Sequence, residues 1–459
     1  MVFTSPTFLF LFLPIVLAVF AVTPARLRTG MLVAASWLFY AWGEQQLVLL
    51  LMLSTIFNWA AGLAIDRAEA PRARRLWLTG AIIVNIGALV YFKYVDFLWL
   101  NLNSVRAALG MPIVPWLPTH LPLGISFVTF EAVSYVVDVY RRHTPAVRNP
   151  VHVAFYISFF PHLIAGPILR FNDIAAPLAR PTVTLEGFDR GIARFIDGLG
   201  KKMLIANPLG HVADQVFLLP IGQLSAPTAW LGILAYALQI YFDFSGYSDM
   251  AIGLGHMFGF TLPENFRLPY AADSMRDFWR RWHMSLSSWF RDYLFLPMGG
   301  SRFGTLTTCR NLVIVFALCG FWHGAGRRFI FWGLFHGAFL SLERTRFGGA
   351  LARAPLPIRR AYTFGVVVIG WVFFRAENLA LAGGYLKAMA GLGHTVAAIP
   401  ARMYMTPELL FVMGAGFLLS MVSISLRRLP AFVASAIVLA MSLLYVAAGT
   451  YNPFIYFRF

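Results

Sequence analysis

The chain has 459 residues, of which 59% are hydrophobic and 12% are charged, whereas soluble domains are about 45–50% apolar and about 25% charged. Basic residues outnumber acidic residues by 37 to 20, and they gather in short loops between apolar segments, as in the cytoplasmic loops of membrane proteins. This composition indicates a multi-spanning protein in contact with membrane lipid. It excludes a disordered chain, a secreted disulfide scaffold and a cytosolic enzyme, and it argues against nucleic acid as a partner.

Apolar runs follow one another along the whole chain, and they predict an all-α polytopic membrane protein with about 11–13 transmembrane or re-entrant helices. The first run lacks a basic n-region and an Ala-x-Ala cleavage site, so we expect a retained span rather than a signal peptide. The runs cover residues 6–23, 30–42, 47–65, 76–92, 121–137, 151–169, 215–242, 311–326, 329–342, 361–374, 409–426 and 429–457, with 187–208 and 247–260 as weaker candidates.

Arginines mark the ends of the first, third and fifth runs, while the connections around Glu44 and residues 101–120 carry few basic residues. Because Lys and Arg near span ends stay on the cytoplasmic side, we expect the amino terminus to lie outside the cell. The arginines concerned are Arg26, Arg28, Arg67, Arg72, Arg74, Arg75, Arg141, Arg142 and Arg148.

Two regions differ from simple spans. Pro161, Gly166 and Pro167 interrupt the run at 151–169. Only Arg327 and Arg328 separate the run at 311–326 from the run at 329–342. Helices broken at membrane depth are tolerated where the backbone is buried in protein or lines a wet cavity. The pattern therefore predicts helices around a central funnel or tunnel.

The segment 273–302 is rich in arginine. Ser274 and Asp277 have the spacing of a helix-capping box. Trp279, His283, Leu286 and Phe290 then recur at intervals of four, three and four, which places them on one helical face. We predict one amphipathic helix at the cytoplasmic boundary. The alternative is a basic interfacial helix that only anchors to lipid headgroups.

His323 lies in the sequence Phe-Trp-His-Gly within an uncharged run. Ionisable residues inside the membrane are costly and often functional, and an imidazole can take up and return a hydroxyl or thiol proton. The alternative is a hydrogen-bonded structural histidine. His336 follows thirteen residues later, which on one continuous helix is about 220° around the axis, nearly the opposite face, but the intervening glycines break the assumption of one helix.

Other catalytic motifs are missing from the sequence. HExxH, GxSxG and GxxxxGK[ST] do not occur, and Cys309 and Cys319 form no CxxC pair, so we expect no metal site and a packing role for both cysteines. The remaining possibilities are histidine-assisted group transfer or a protein without catalytic activity.

The sequences DFWRRWHMSLS at 277–287 and FWHGAG at 321–326 resemble the signature of the membrane-bound O-acyltransferase family, and more closely its bacterial alginate O-acetyltransferase branch. Further segments similar to that branch lie at 1–14, 159–170, 241–253, 265–270, 296–302 and 452–459. The resemblance covers essentially the whole chain. It implies a single integral-membrane domain over 1–459, with the cytoplasmic-side segment at 264–302 and the catalytic histidine segment at 311–342.

The resemblance also implies the reaction. His323 matches the presumed catalytic histidine and His283 a second functional position, with acetyl-CoA as the expected cytoplasmic donor and an acceptor reached from the opposite face. The substrate-binding positions expected are Arg276, Arg280, Arg281, Trp279, Trp322 and Ser287. The arginines suit the phosphates of a CoA-like donor, although contact with lipid headgroups is the alternative.

The expected product is an O-acetylated exopolysaccharide such as alginate. The branch implies a periplasmic acetyltransferase of the SGNH serine-hydrolase type and the polysaccharide synthesis machinery as partners, and it implies the bacterial inner membrane with a periplasmic amino terminus. Acetylation of cellulose or peptidoglycan, a polytopic transporter and a non-catalytic scaffold stay open. The polar groups of Glu131, Asp243, Ser245 and Asp249 are expected to hydrogen-bond helices together.

Overall fold

The computed structural model describes residues 1–175, 178, 181–393, 398–422, 431–449 and 451–452. Across these ranges the regular structure is helical, and one isolated β-bridge joins Leu224 to Ile399. The predicted all-α fold is confirmed. The prediction of a central funnel or tunnel stays a prediction.

The chain packs as two compact units, Met1–Phe195 with Met250–Pro263 and Ile196–Asp249 with Glu264–Phe459. The single-domain assignment over 1–459 stays a prediction. The helices that begin in the first unit are α1 (Leu13–Val22), α2 (Arg28–Glu44), α3 (Val48–Arg67), α4 (Pro71–Leu89), α5 (Val95–Ala108), α6 (Ile125–Arg141), α7 (Pro150–Ser158), α8 (Phe160–Leu163), α9 (Phe171–Ile174) and α10 (Leu185–Gly200).

The helices that begin in the second unit carry the segments singled out for function. They are α11 (Asn207–Phe217), α12 (Ala226–Met257), α13 (Met275–Trp279), α14 (Met284–Phe290), α15 (Gly304–His323), α16 (Arg327–Leu342), α17 (Arg346–Arg353), α18 (Leu356–Arg375), α19 (Leu379–Met389), α20 (Pro407–Met421) and α21 (Ala431–Ala447). π-Helical turns lie at Phe8–Phe12, Val90–Tyr94, Lys201–Ala206 and Arg291–Phe295, and 3-10 turns at Gln45–Leu47, Ile221–Gln223, Pro269–Ala271 and Ala401–Met403.

Four helical stretches in the described part of the chain are long and apolar enough to cross a bilayer: Arg28–Arg67, Pro71–Ala108, Gly304–His323 and Leu356–Arg375. Shorter apolar helices lie at Phe8–Val22, Pro407–Met421 and Phe432–Ala447. These stretches agree with a multi-pass membrane protein.

Most apolar runs fold as expected, with one exception. The run at 151–169 is broken into α7 and α8, and the run after residue 311 divides into α15 and α16, as predicted. The run at 215–242 does not form one helix, because α11 ends at Phe217 and α12 begins only at Ala226. Helix α12 then continues through the run at 247–260 as far as Met257. The runs at 409–426 and 429–457 extend into residues outside the described part. The segment at 452–459, which resembles the alginate O-acetyltransferase branch, does so as well.

Buried polar side chains hold the helices together. In the first unit, Glu131 of α6 contacts His162 of the broken α7–α8 region at 3.1 Å and accepts the Leu169 amide at 3.1 Å, so one side chain satisfies backbone that the break leaves unpaired. In the second unit, Asp243 of α12 pairs with Lys202 at 2.8 Å. Asp249 likewise pairs with Lys201 at 2.5 Å. The expected bonding between helices is confirmed for these three carboxylates, but not for Ser245, whose buried hydroxyl has no hydrogen-bond partner within the described residues.

Helices α15 and α16 pack with their backbones in contact. A methyl group built on Gly320 would lie 2.1 Å from the Phe329 carbonyl oxygen, and one on Gly333 would lie 2.0 Å from the Phe316 carbonyl oxygen. Small residues permit such close approach between membrane helices. The close contact fixes His323, at the end of α15, relative to the side chains of α16.

Candidate active site

His283 lies between two short helices, so the prediction of one continuous amphipathic helix is wrong. Helix α13 ends at Trp279, helix α14 begins at Met284, and His283 has a left-handed backbone with φ of 42°. The predicted start of the segment is correct, because the Ser274 hydroxyl accepts the Asp277 amide at 3.1 Å. The break turns His283 out of the helical face that the periodicity assigned to it.

A neighbouring loop holds the break in place. The Arg267 amide donates to the Arg281 carbonyl at 2.9 Å, and the Met284 amide donates to the Asn265 carbonyl at 2.9 Å. These two bonds satisfy backbone groups on both sides of His283 that a continuous helix would have paired internally. The turn is therefore held by long-range pairing rather than by a local Gly or Pro signal.

The His283 side chain is buried, with 1% of its surface exposed. Its Nδ1 lies 3.1 Å from Asn265 Oδ1, its ring meets Phe244 edge-on at 4.7 Å, and its centroid lies 6.3 Å from the Trp322 ring. The residue after Trp322 is His323, so an indole connects the surroundings of the two predicted histidines.

His323 is the last residue of α15 and is also buried, with 7% exposed. Its ring contacts Trp322 at 4.9 Å, Trp332 at 5.1 Å and Phe374 at 5.3 Å. Helix α15 stops here because the backbone becomes extended at Gly324, where a side chain would collide with the Phe329 ring at 2.1 Å. An aromatic enclosure of this kind excludes water and holds the imidazole in one orientation.

His336 belongs to the same aromatic cluster, which sequence reasoning missed. Its ring contacts Trp332 at 4.9 Å and Trp279 at 5.2 Å, and neither ring nitrogen has a hydrogen-bond partner within the described part of the chain. The sequence left the direction of His336 open, because the intervening glycines break the assumption of one helix. The break at 324–326 places the two histidines on separate helices that both contact Trp332.

A cavity of about 390 Å³ runs beside these residues. On α15 it follows Leu312, Val315, Phe316 and Cys319, so that it ends one helical turn before His323. Its remaining walls are Arg276, Trp279, Arg280, Met284, Leu286, Ser287, Ser288, Phe290, Arg291, Phe295, Leu340 and Arg344. Small-molecule sites are commonly about 300–1,000 Å³, mostly apolar and with a few polar groups, so the cavity has the size and composition of a ligand site.

Four of the six predicted substrate-binding residues line this cavity: Arg276, Trp279, Arg280 and Ser287. The other two do not. Arg281 pairs with Asp277, Nε to Oδ2, at 2.9 Å, and Trp322 lies between the rings of His283 and His323. Arg281 and Trp322 therefore support the local structure and do not line the cavity.

The arginines at the cavity form a cluster of like charge. The positive charge of Arg280, followed by partial burial and the charge of Arg344, lowers the pKa of Arg276. Within the described residues no carboxylate lies within ion-pair distance of Arg276, Arg280 or Arg344. The nearby Glu343 carboxylate opposes this shift without pairing with the Arg276 guanidinium. Guanidinium groups held near one another attract an anion, and phosphate is their preferred bidentate partner.

Glu343 fixes one side of the cluster. Its carboxylate oxygens accept the amides of Met275 at 2.6 Å and Arg276 at 3.1 Å, at the start of α13. Burial raises the pKa of the Glu343 carboxyl, and the two backbone donors oppose that rise. A carboxylate from the end of α16 thus fixes the backbone that carries Arg276.

Comparison with known proteins agrees with these features. Residues 91–381 match the sequence model of the MBOAT, membrane-bound O-acyltransferase family. This range includes the cavity, His283, His323 and His336.

Three relatives illustrate the similarity. A "probable alginate O-acetylase" of Azotobacter vinelandii is 47% identical over 86% of this chain and 79% of its own length. A peptidoglycan O-acetyltransferase of Helicobacter pylori is 37% identical over 85% of this chain and 80% of its own. A teichoic acid D-alanyltransferase of Bacillus subtilis is 30% identical over 49% of this chain and 60% of its own.

Proposed function

Because the chain belongs to the membrane-bound O-acyltransferase family, we propose that it moves an acetyl group from cytoplasmic acetyl-CoA to hydroxyl groups of an exopolysaccharide such as alginate. One observation carries the proposal. The arginine-bearing cavity follows α15 to Cys319, four residues before His323, so a bound thioester has a path from an anion-binding surface toward a buried imidazole.

The charged and uncharged parts of acetyl-CoA match the arginine-rich and apolar parts of the cavity. The phosphates of CoA pair with Arg276, Arg280 and Arg344, and the uncharged pantetheine arm with its thioester enters the apolar part between Trp279 and Cys319. Trp279 also contacts Trp332 at 5.7 Å, and Trp332 contacts His323 at 5.1 Å. The thioester end therefore approaches the aromatic cluster around His323.

The reaction needs only positioning and a proton acceptor, since a thioester is already an activated acyl group. His323 takes the proton of the acceptor hydroxyl as its oxygen attacks the thioester carbonyl carbon. The carbon–sulfur bond then breaks, and the leaving thiolate takes the proton from the imidazolium, which gives an acetyl ester and the CoA thiol. Alignment of the reactants contributes about 7–11 kcal/mol, and general-base help contributes about 10²–10⁴-fold.

The arginines also give the orientation. Arg276, Arg280, Arg302, Arg344 and Arg346 all lie where α15 begins and α16 ends. Because arginines near span ends stay on the cytoplasmic side, we expect this end to face the cytoplasm of a bacterial inner membrane, where acetyl-CoA is made. The arginines that follow the first, third and fifth runs support a periplasmic amino terminus.

The choice of acceptor is based on the named relatives. Alginate is favoured because the alginate relative is 47% identical, against 37% for the peptidoglycan relative. A periplasmic SGNH-type acetyltransferase, working with the polysaccharide synthesis machinery, receives the acetyl group on a serine or helps to deliver it to the polymer. Both routes use the same hydroxyl chemistry at His323. The family and the named relatives support an enzyme over a transporter or a scaffold.

Sided membrane vesicles test this proposal. We expect inverted vesicles that contain the protein and its synthesis machinery to transfer label from externally added [¹⁴C]acetyl-CoA to polymer or protein in the lumen. Vesicles with His323→Ala should not transfer label, whereas the control variant His152→Ala should behave like wild type. Label transfer that is equal with and without the protein would contradict the proposal.

A further inference from the structure

The strongest unassigned feature of the site is the contact between Asn265 and His283. Asn265 precedes His283 by eighteen residues, and both side chains are 1% exposed. We infer that Asn265 is a positioning residue, whose carboxamide oxygen holds His283 in the Nδ1–H tautomer and leaves Nε2 as the nitrogen with the lone pair. The tautomer is inferred from geometry alone, whereas its role in catalysis rests on the proposed function.

The orientation of the Asn265 amide follows from its neighbours. The backbone amide of Ser285 lies 3.3 Å from Oδ1, and the Ser285 hydroxyl lies 2.9 Å from the same atom. A backbone N–H can only donate, so the atom it faces must be the carbonyl oxygen and not the NH₂ group. The NH₂ group then donates to the Ser248 hydroxyl at 3.1 Å.

This orientation decides the tautomer. A carboxamide oxygen accepts hydrogen bonds and cannot donate one, so His283 Nδ1, 3.1 Å away, must carry the proton. In a neutral imidazole the other nitrogen is then unprotonated. Nε2 is therefore the atom of His283 that can accept a proton or a hydrogen bond from a thiol or hydroxyl.

The partner also sets the charge of the ring. A carboxylate at the position of Asn265 would stabilise an imidazolium, as in catalytic triads, whereas a neutral amide does not. Protonation of His283 would place a charge in buried surroundings with Phe244 and Phe266 against the ring. Asn265 thus keeps His283 neutral, and the transient positive charge of the reaction falls to His323.

Other titratable groups on the elements packed against His283 are accounted for separately. They are Tyr236, Tyr241, Asp243, Tyr247, Asp249 and His256 on α12, Glu264 and Arg267 in the loop that carries Asn265, and Cys309, Arg310, Cys319 and His323 on α15. Both aspartates pair with lysines, Asp243 with Lys202 and Asp249 with Lys201. Because Asn265 Oδ1 contacts His283 Nδ1 directly, a shift in pH dependence after substitution of Asn265 is assigned to His283 when the tautomer signal of His283 changes in the same variant.

The first test reads the tautomer directly and needs no activity. We expect the ¹⁵N spectrum of the histidine-labelled protein in lipid to contain one Nδ1–H imidazole that disappears in His283→Gln. In Asn265→Leu this signal should move toward the tautomer mixture of a free imidazole. An Nε2–H tautomer for His283 in the wild type would overturn the inference, whatever the enzyme transfers.

The second test reads function. Asn265→Leu should lower acetyl transfer about 10–100-fold, the size of effect seen when the partner that orients a metal-bound histidine is removed. Asn265→Asp keeps the acceptor oxygen, so it should retain more activity than Asn265→Leu, with the acid limb of its pH–rate profile moved to higher pH because the new carboxylate favours the imidazolium.

The matched control is Asn85→Leu. Asn85 is a buried asparagine of the first unit that bonds Asn58 and has no contact with a site histidine, so its loss should leave the pH profile unchanged. Monodispersity in detergent monitors folding of each variant. Asn265→Leu activity within twofold of wild type, or an unshifted profile in Asn265→Asp, would contradict the positioning role. Absence of acetyl transfer in wild type and all variants, with the expected tautomer present, would contradict only the proposed function.

Discussion

The indole of Trp332 meets the imidazole of His323 edge-on, with ring centroids 5.1 Å apart and planes at 88°. Trp332 is 1% exposed, and its other neighbours include His336 and Trp371. The indole therefore fixes His323 from the facing helix and separates it from His336. Proton transfer depends on such fixed geometry, because small displacements of a catalytic group lower rates strongly.

Trp332→Ala tests this packing. Removal of a buried tryptophan costs about 3–5 kcal/mol, and we expect a lower thermal midpoint together with an acetyl-transfer rate reduced by more than tenfold. Trp332→Phe keeps a ring against His323 and should lie between wild type and Trp332→Ala. Trp42→Ala, on a side chain 60% exposed, is the control and should change neither measurement. A full rate in Trp332→Ala would show that His323 does not need the indole.

Arg276→Gln and Arg280→Gln should each raise the KM for acetyl-CoA with a smaller effect on kcat. A hydrogen bond between charged groups contributes about 1.5–3 kcal/mol, which corresponds to about 10–100-fold in affinity. Arg281→Gln is the informative comparison, because Arg281 pairs with Asp277 and does not line the cavity. An equal rise in KM for Arg281→Gln, or none for the other two, would contradict the phosphate assignment.

Occupancy of the cavity can be measured without turnover. Ser288 lines the cavity, so Ser288→Cys, in a background with Cys309→Ser and Cys319→Ser, introduces a single thiol there. We expect acetyl-CoA, but not acetate, to slow its alkylation. Protection that is equally strong for Ser54→Cys in the first unit would mean that the ligand acts elsewhere.

The carboxyl of Glu343 should make donor binding sensitive to pH. Burial raises its pKa, so as the pH falls it takes up a proton at a higher pH than an ordinary glutamate does. The protonated group is a weaker acceptor for the Met275 and Arg276 amides, and the donor KM should therefore rise on the acid side. Glu343→Gln should have a higher KM at neutral pH and a smaller further rise on acidification. A KM for Glu343→Gln that follows pH as in the wild type would assign the effect to another group.

The contact between α15 and α16 predicts a sharp contrast between two glycines. Gly333→Ala places a methyl group 2.0 Å from the Phe316 carbonyl oxygen, so we expect loss of folded protein and of activity. Gly365→Ala on α18 meets nothing within 4 Å and should be neutral or stabilising by about 0.5–1 kcal/mol. Folded yield in detergent and thermal midpoint measure both.

The sequence was informative about residue types and poor about long-range contacts. His323, His283 and the cavity arginines could be predicted because polar groups in apolar surroundings and the family motifs mark them. The break at His283 could not, since no Gly or Pro stands there and the backbone partners, Asn265 and Arg267, lie outside the periodic segment. The position of His336 could not be predicted for a related reason, because a helical-wheel angle has no meaning across the break at 324–326.

The most direct measurement is the ester content of extracellular polysaccharide in a strain that lacks the gene and is complemented with wild type or with His323→Ala, at equal membrane levels of the two proteins. We predict acetylated polymer with wild type and unacetylated polymer with His323→Ala. Full acetylation with His323→Ala would contradict the assignment of His323 as the proton acceptor and, with it, the route from the arginine cavity along α15.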